Sequence, residues 1–191
     1  LPICLRQNPR MTIKQVRWEK LLAGWMMLNT DEASNDALGA TGGGGIIRDD
    51  KGNWVKGFSR KLRKVHSFMA EIWAFRDRLL LCHRLKLVAV IIELDAKVLV
   101  DALNNPVYAN SVISPLFDDR RVLMAWLPRF CIRHIYREAN KCADYLANLG
   151  ILQTLDFVMH SCPPVDLQSF VEANCHGLYS NKLCPKPLWP S

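Results

Sequence analysis

Several things are scarce in this 191-residue sequence, and each scarcity excludes something. No uninterrupted apolar run exceeds six residues, the length of Leu87 to Ile92, whereas a membrane helix needs about 20 and a secretory signal core about 7 to 15. Neither segment is expected. The seven cysteines are odd in number and contain no Cys-x-x-Cys pair, so buried thiols in a reducing compartment, nucleus or cytoplasm, are expected instead of a disulfide framework. Four consecutive glycines, Gly42 to Gly45, lack the following Gly-Lys-Ser/Thr of a phosphate-binding loop. No internal repeat is visible, and aromatic residues make up only 9%.

What is present is ordinary for a globular chain: 50% hydrophobic and 23% charged residues. The length favours one domain with tails. Lys and Arg exceed Asp and Glu by 25 to 18, giving a net charge of +7, which favours a polyanionic partner or surface.

Residues 1–23 mix basic and polar types without a sustained period and read as a leader or linker. Trp25 to Thr30 reads as a strand ending in Asp31, followed by a loop through Asp36. The glycine run feeds Ile46-Ile47, and Asp50-Lys51-Gly52-Asn53 is a turn into a third strand, Trp54 to Ser59, so a hairpin is expected. The period then changes: Phe68, Ile72, Phe75, Leu79 and Cys82 recur at steps of four, three, four and three, the stripe of an amphipathic helix. Leu87 to Leu94 has the near-continuous aliphatic character of a central parallel strand. Ala96–Leu103 and Ser111–Leu127 read as helices, Arg129–Tyr136 as a strand and Glu138–Leu149 as a helix. Five of the ten prolines lie between Pro163 and Pro190, which predicts a loosely ordered tail over 151–191.

Four acids stand out by position: Asp31 at the first strand's end, Glu71 in the long helix, Asp95 after the buried strand and Asp144 in the last helix. Glu71 falls between Phe68 and Phe75 on or beside the apolar stripe. A carboxylate there is costly without a compensating cation. Asp95 occupies the carboxyl end of a strand, where open α/β sheets place ligands. Any one of these acids is more often a cap or a solvated ion pair, but four at one sheet edge resist that explanation. His160, Cys162, Cys175, His176 and Cys184 in the tail have spacings that fit no usual zinc finger. Trp54 and Trp73 read as core residues.

The segments Leu28-Asn29-Thr30-Asp31, Gly45-Ile46-Ile47-Arg48-Asp49, Ala70-Glu71-Ile72-Trp73-Ala74, Glu93-Leu94-Asp95 and Arg133 through Asp144 resemble, in order, the motifs of the ribonuclease H-like domain of plant reverse-transcriptase-like, retrotransposon-derived proteins. The resemblance spans about residues 24–150. It implies an α/β fold with a five-stranded mixed sheet, three antiparallel N-terminal strands followed by parallel ones, flanked by helices. It also implies that Asp31, Glu71, Asp95 and Asp144 hold two Mg²⁺ or Mn²⁺ ions, and that His134, ten residues before Asp144, is the family's mobile-loop histidine, assisting proton transfer or product departure. The implied activity is hydrolysis of the RNA strand of an RNA/DNA hybrid by a monomer without a membrane partner. Ser34, Asn140, Arg60 and Lys61 are candidate substrate contacts; Arg63, Lys64, Arg76 and Arg78 are further basic positions for phosphates. The gap between Asp95 and Asp144 is short, as in relatives without the extra basic helix-loop that grips substrate.

The chain departs from the family pattern at Glu32, where a glycine usually follows the first aspartate, and at Asp36-Ala37-Leu38-Gly39, in place of a Gly-Asn-Pro-Gly loop. These residues motivate an alternative, a catalytically degenerate, retroelement-derived nucleic-acid-binding module. A protein-interaction domain on the same fold is a third possibility.

Overall fold

The computed structural model describes residues 11–17, 19–62, 78–105 and 127–185. In chain order these form β1 (Met11–Val16), β2 (Met26–Asn35), β3 (Ala40–Arg48), β4 (Trp54–Leu62), helix α1 (78–84), β5 (Ala89–Leu94), α2 (Lys97–Asn104), β6 (Arg129–His134), α3 (Lys141–Leu152), β7 (Phe157–His160), α4 (Gln168–Cys175) and β8 (Ser180–Pro185). Six strands make one mixed sheet in the order β6-β5-β2-β3-β4-β7. The pairs β2/β3, β3/β4 and β4/β7 are antiparallel, and β2/β5 and β5/β6 are parallel.

The expected hairpin forms between β3 and β4. Asp49 closes it: its Oδ1 accepts from the backbone N–H of Lys51 and Asn53, at 3.0 and 2.8 Å, and Gly52 supplies φ +91°. The aliphatic run is the central strand β5, with Ala89, Val90, Ile92 and Leu94 buried. One face of the sheet, through Leu28, Val90, Ile92 and Leu94, packs on Leu79 and Cys82 of α1, Leu99 and Val100 of α2, and Leu127. The predicted helix over Ser111–Leu127 and most of the Phe68–Cys82 helix lie outside the described residues.

The other face receives α3 at backbone contact. Its buried stripe, Cys142, Ala143, Leu146, Ala147, Gly150 and Ile151, is mostly small. A Cβ on Gly42 would sit 2.2 Å from the Ala147 carbonyl oxygen, and one on Gly44 would sit 2.2 Å from the Ala147 nitrogen. The glycine run is therefore a docking strip on β3 for a helix.

Four expectations change. The first strand does not end at Asp31: β2 continues to Asn35, because Asp31 through Asn35 pair with Gly44 through Ala40. The sheet has six strands where five were expected, since β7 pairs with β4. The 151–185 segment is ordered, not loose: Leu167 and Val171, four apart on one helical face, are buried against Ile46, Cys142 and Leu146. Within the supposed leader, β1 pairs antiparallel with β8, from Met11↔Pro185 to Val16↔Ser180. Among the described cysteines none is in a disulfide; Cys82 and Cys142 are buried, but Cys131 and Cys162 are exposed. Trp54 is half-buried beside the α3 cluster, as its core reading implied. No helix among the described residues is long and apolar enough to cross a membrane.

Candidate active site

The last mutual pair of β2 and β5 is Asn29↔Glu93. Two residues further along each strand come Asp31 and Asp95, side by side where the strands part. Asp31 also pairs with Gly44 on the other side, under α3. Asn140, just before α3, donates from Nδ2 to the Thr30 carbonyl at 3.0 Å. This bond and the glycine strip fix the helix start against β2, and Asp144 in the first turn of α3 comes near Asp31. Arg137 follows, with Nη2 3.7 Å from Asp144 Oδ1.

Asp31 is only 4% exposed. Its Oδ1 accepts the Glu32 backbone N–H at 2.8 Å, while its Oδ2 is buried without a hydrogen-bond partner. Burial, then the neighbouring Asp95 charge and further the Asp144 charge, push its carboxyl up to about 7; the Glu32 amide and Arg137 oppose them. Asp31 and Asp95 line a cleft of about 240 Å³ with Thr30, Glu32, Arg78, Leu94, Ala96 and Leu99. Arg78 Nη2 meets Glu32 Oε1 at 3.2 Å across its edge.

Asp31, Asp95 and Asp144 are hard oxygen donors of the kind that divalent cations take. An orphaned, buried carboxylate oxygen beside a second and a third carboxylate is relieved by a proton or by a cation. Among the described residues no group of three His, Cys, Asp or Glu side chains suffices alone to hold a metal. Glu71, expected as the fourth acid, lies outside the described residues, with Arg63, Lys64, Trp73 and Arg76.

A family model described as "Reverse transcriptase-like" matches residues 29–150, the segment that carries this site. The chain belongs to the reverse transcriptase-like family. It is 31% identical over 172 residues, 89% of the chain, to an Arabidopsis thaliana protein named "Putative ribonuclease H protein", of whose length it spans 27%. Its fold matches LC11-RNase H1, solved with an RNA/DNA hybrid, at TM-score 0.53 and 24% identity, covering 66% of this chain and 96% of that one. It also matches RNase H1 of the archaeon Halobacterium salinarum at TM-score 0.52 and 20% identity, with 66% and 96% covered. The α/β ribonuclease H-like fold is thereby shown.

This member of the reverse transcriptase-like family places its other candidate residues less centrally. His134 ends β6 in register with Leu94, its ring edge-on to Tyr136 at 5.2 Å, and it is not in the cleft lining. Ser34 is exposed on β2 opposite Thr41. Arg60 and Lys61 lie on β4 opposite Gly43 and Gly42. Arg60 lines a second slot with Phe58, Phe157, Glu32 and Arg78. The tail residues proposed and rejected as zinc ligands stay apart: His160 Nε2 meets Ser59 Oγ at 2.9 Å, and Cys175 Sγ meets the Gly52 carbonyl at 3.1 Å. Sequence reading missed Thr30 and Leu99 as lining residues and Arg137 as the partner of Asp144. Arg137 is legible in hindsight: it begins the tight Arg137–Ala139 turn that leads into α3, and Asp144 lies in the first turn of that helix.

Proposed function

We propose that this chain is a ribonuclease H-type endonuclease, cutting the RNA strand of RNA/DNA hybrids to leave a 5′-phosphate and a 3′-hydroxyl. The observation that carries the reading is the orphaned, buried Oδ2 of Asp31 beside Asp95, in a carboxyl pushed up to about 7. That arrangement is unfavourable for a folded chain by itself and suited to binding hard cations. Asp31 and Asp95 would be the central ligands of two Mg²⁺ or Mn²⁺ ions, with Glu71 and Asp144 each completing one site. The ions, when bound, would polarise a phosphoryl oxygen and supply a nucleophilic water. The chain's own residues bring Asp144 up to Asp31: Asn140 ties α3 to Thr30, and Gly42 and Gly44 let the helix dock closely on β3 beside β2. His134 would exchange a proton near the departing product only if its ring leaves Tyr136. Phosphate backbone and 2′-hydroxyls, not base sequence, would be read.

The test incubates purified chain with labelled RNA/DNA hybrid and Mg²⁺ or Mn²⁺, beside Asp95→Asn, Glu71→Gln and a single-stranded RNA control. Hybrid-specific cutting lost in both variants is expected, with a fall of at least about a hundredfold in rate. A second reading, a degenerate nucleic-acid-binding module, is favoured by one observation: the Glu32 carboxylate occupies Arg78 at the cleft edge, where a phosphate would otherwise arrive. Hybrid binding without cleavage selects it.

A further inference from the structure

We propose that the β1/β8 ribbon and the Tyr136 segment beneath it form a second binding surface, which grips the phosphate backbone of a nucleic-acid duplex beyond the cleft. The inference rests on the nucleic-acid reading above. The ribbon's two strands lie on either side of the segment 29–150 that carries the family match, and Tyr136 lies within that segment.

In the ribbon register Lys14 stands directly opposite Lys182. Like charges at such a position destabilise a strand pair. Both ammonium groups nevertheless converge on one ring: Lys14 Nζ lies 4.7 Å and Lys182 Nζ 4.2 Å from the Tyr136 centroid, and Lys14 donates to the Tyr136 hydroxyl at 3.1 Å. The ring's face holds two cations in place that would otherwise repel. Val16 of β1 is buried with Ile135 and Ala139, anchoring the ribbon to the connector between β6 and α3. Beside the pair, Arg17 covers the Tyr179 ring at 4.9 Å. A counter-charge is present at Glu138, 3.3 Å from Lys182.

This cluster adjoins the acidic cleft through one residue. Tyr136 is followed by Arg137, whose guanidinium meets Asp144. A duplex seated with its scissile phosphate at Asp31 and Asp95 would carry its flanking phosphates toward Arg137, Lys14 and Lys182. The chain is short between Asp95 and Asp144, and the ribbon supplies cations from the two ends of the sequence instead. Point charges on flexible stems suit phosphates without reading sequence.

Lys14→Gln/Lys182→Gln is compared with wild type by fluorescence anisotropy, using labelled RNA/DNA hybrid and double-stranded DNA long enough to extend past the cleft. Removing two phosphate contacts is expected to lower the slope of log affinity against log salt by about 2, so that the wild type loses about tenfold more affinity than the variant between about 50 and 200 mM salt. Lys14→Arg/Lys182→Arg keeps both charges and is expected to keep the slope, and Glu138→Gln to tighten binding. Thermal melting of each variant separates unfolding from lost contacts. An unchanged slope in the Gln variant, or equal loss in the Arg variant, overturns the ribbon surface. A wild type that binds with the expected slope difference but cuts no hybrid overturns the hydrolase and leaves the ribbon standing. Cleavage with no slope difference does the reverse. A wild type that binds neither duplex at low salt overturns both.

Discussion

Strand β2 and its neighbour, on and just past the end of β5, carry two pairs of polar side chains two residues apart, and the pairs differ in how their charge is met. At Asn29 and Glu93 the side chains find several partners inside the chain. Glu93 accepts from Asn29 Nδ2 and, at 2.6 Å, from Arg133 Nε, while Arg48 Nη1 donates to Asn29 Oδ1 at 2.6 Å. Burial pushes the Glu93 carboxyl up, but the Arg133 charge and the bonds from Arg133 and Asn29 hold it back, with Arg48 adding to them. At Asp31 and Asp95 the same strands offer one backbone amide and a distant Arg137, and a carboxyl oxygen stays buried and unpaired. A buried carboxylate with donors around it is a strut; one left short of donors is a receptor for charge.

Breaking the strut should have the largest effect. Glu93→Ala removes the carboxylate that accepts from Asn29 and Arg133 and whose charge favours the buried Arg48. A loss of about 3–5 kcal/mol in urea unfolding is expected. A loss below about 1 kcal/mol would mean that the network is expendable and the contrast between the two pairs is not energetic.

Emptying the receptor should do the opposite. The Asp31 carboxyl is raised in the folded chain from 3.8 to about 7, so between these values the folded state binds more protons than the unfolded one. Stability therefore falls as pH rises from about 4 to about 7 and stays low above it. Asp31→Asn removes this penalty. The variant is expected to exceed wild type by about 2–4 kcal/mol at pH 8, from about 1.4 kcal/mol per unit, and to match it near pH 4. Saturating Mg²⁺ should close much of the gap by binding wild type alone, about 2.7 kcal/mol at a hundred times Kd. Denaturation at both pH values, with and without Mg²⁺, checks the sign; a gap independent of pH would show that burial, not charge, governs Asp31.

The contrast also explains what was legible in advance. Asp31, Asp95 and Asp144 could be singled out because a carboxylate in or after an apolar stretch is a local anomaly. The β3/β4 hairpin and β5 were legible for the same reason, since Asp49 through Asn53 and Leu87 through Leu94 carry their signals within a few residues. The strut was not: Asn29, Arg48, Glu93 and Arg133 are brought together by three strand registers, and each alone reads as a surface polar residue. Ribbon β1/β8 joins residues about 170 apart, Thr12 to Cys184, a pairing that no local pattern announces. Leu167 and Val171 in the proline-bearing tail were outweighed by composition. The glycine run was excluded as a phosphate loop, yet its use as a helix-docking strip needed α3 in view.

The smallest expected effect lies at Glu32, between the two regimes. Its carboxylate meets Arg78 at 3.2 Å, yet its side chain is 36% exposed, so the pair is worth at most about 1 kcal/mol. Glu32→Gln should leave unfolding within about 0.5 kcal/mol of wild type. Its effect belongs in binding. Removing a negative charge beside Asp31, and removing the carboxylate that an incoming phosphate must displace from Arg78, is expected to tighten RNA/DNA hybrid binding up to about fivefold, most at low salt. Tighter binding with a steeper salt slope would place Glu32 as a competitor at one phosphate position. Weaker binding would mean that Glu32 instead holds Arg78 in the orientation the hybrid uses, and the cleft edge would then belong with the strut of Asn29 and Glu93, not with the receptor of Asp31 and Asp95.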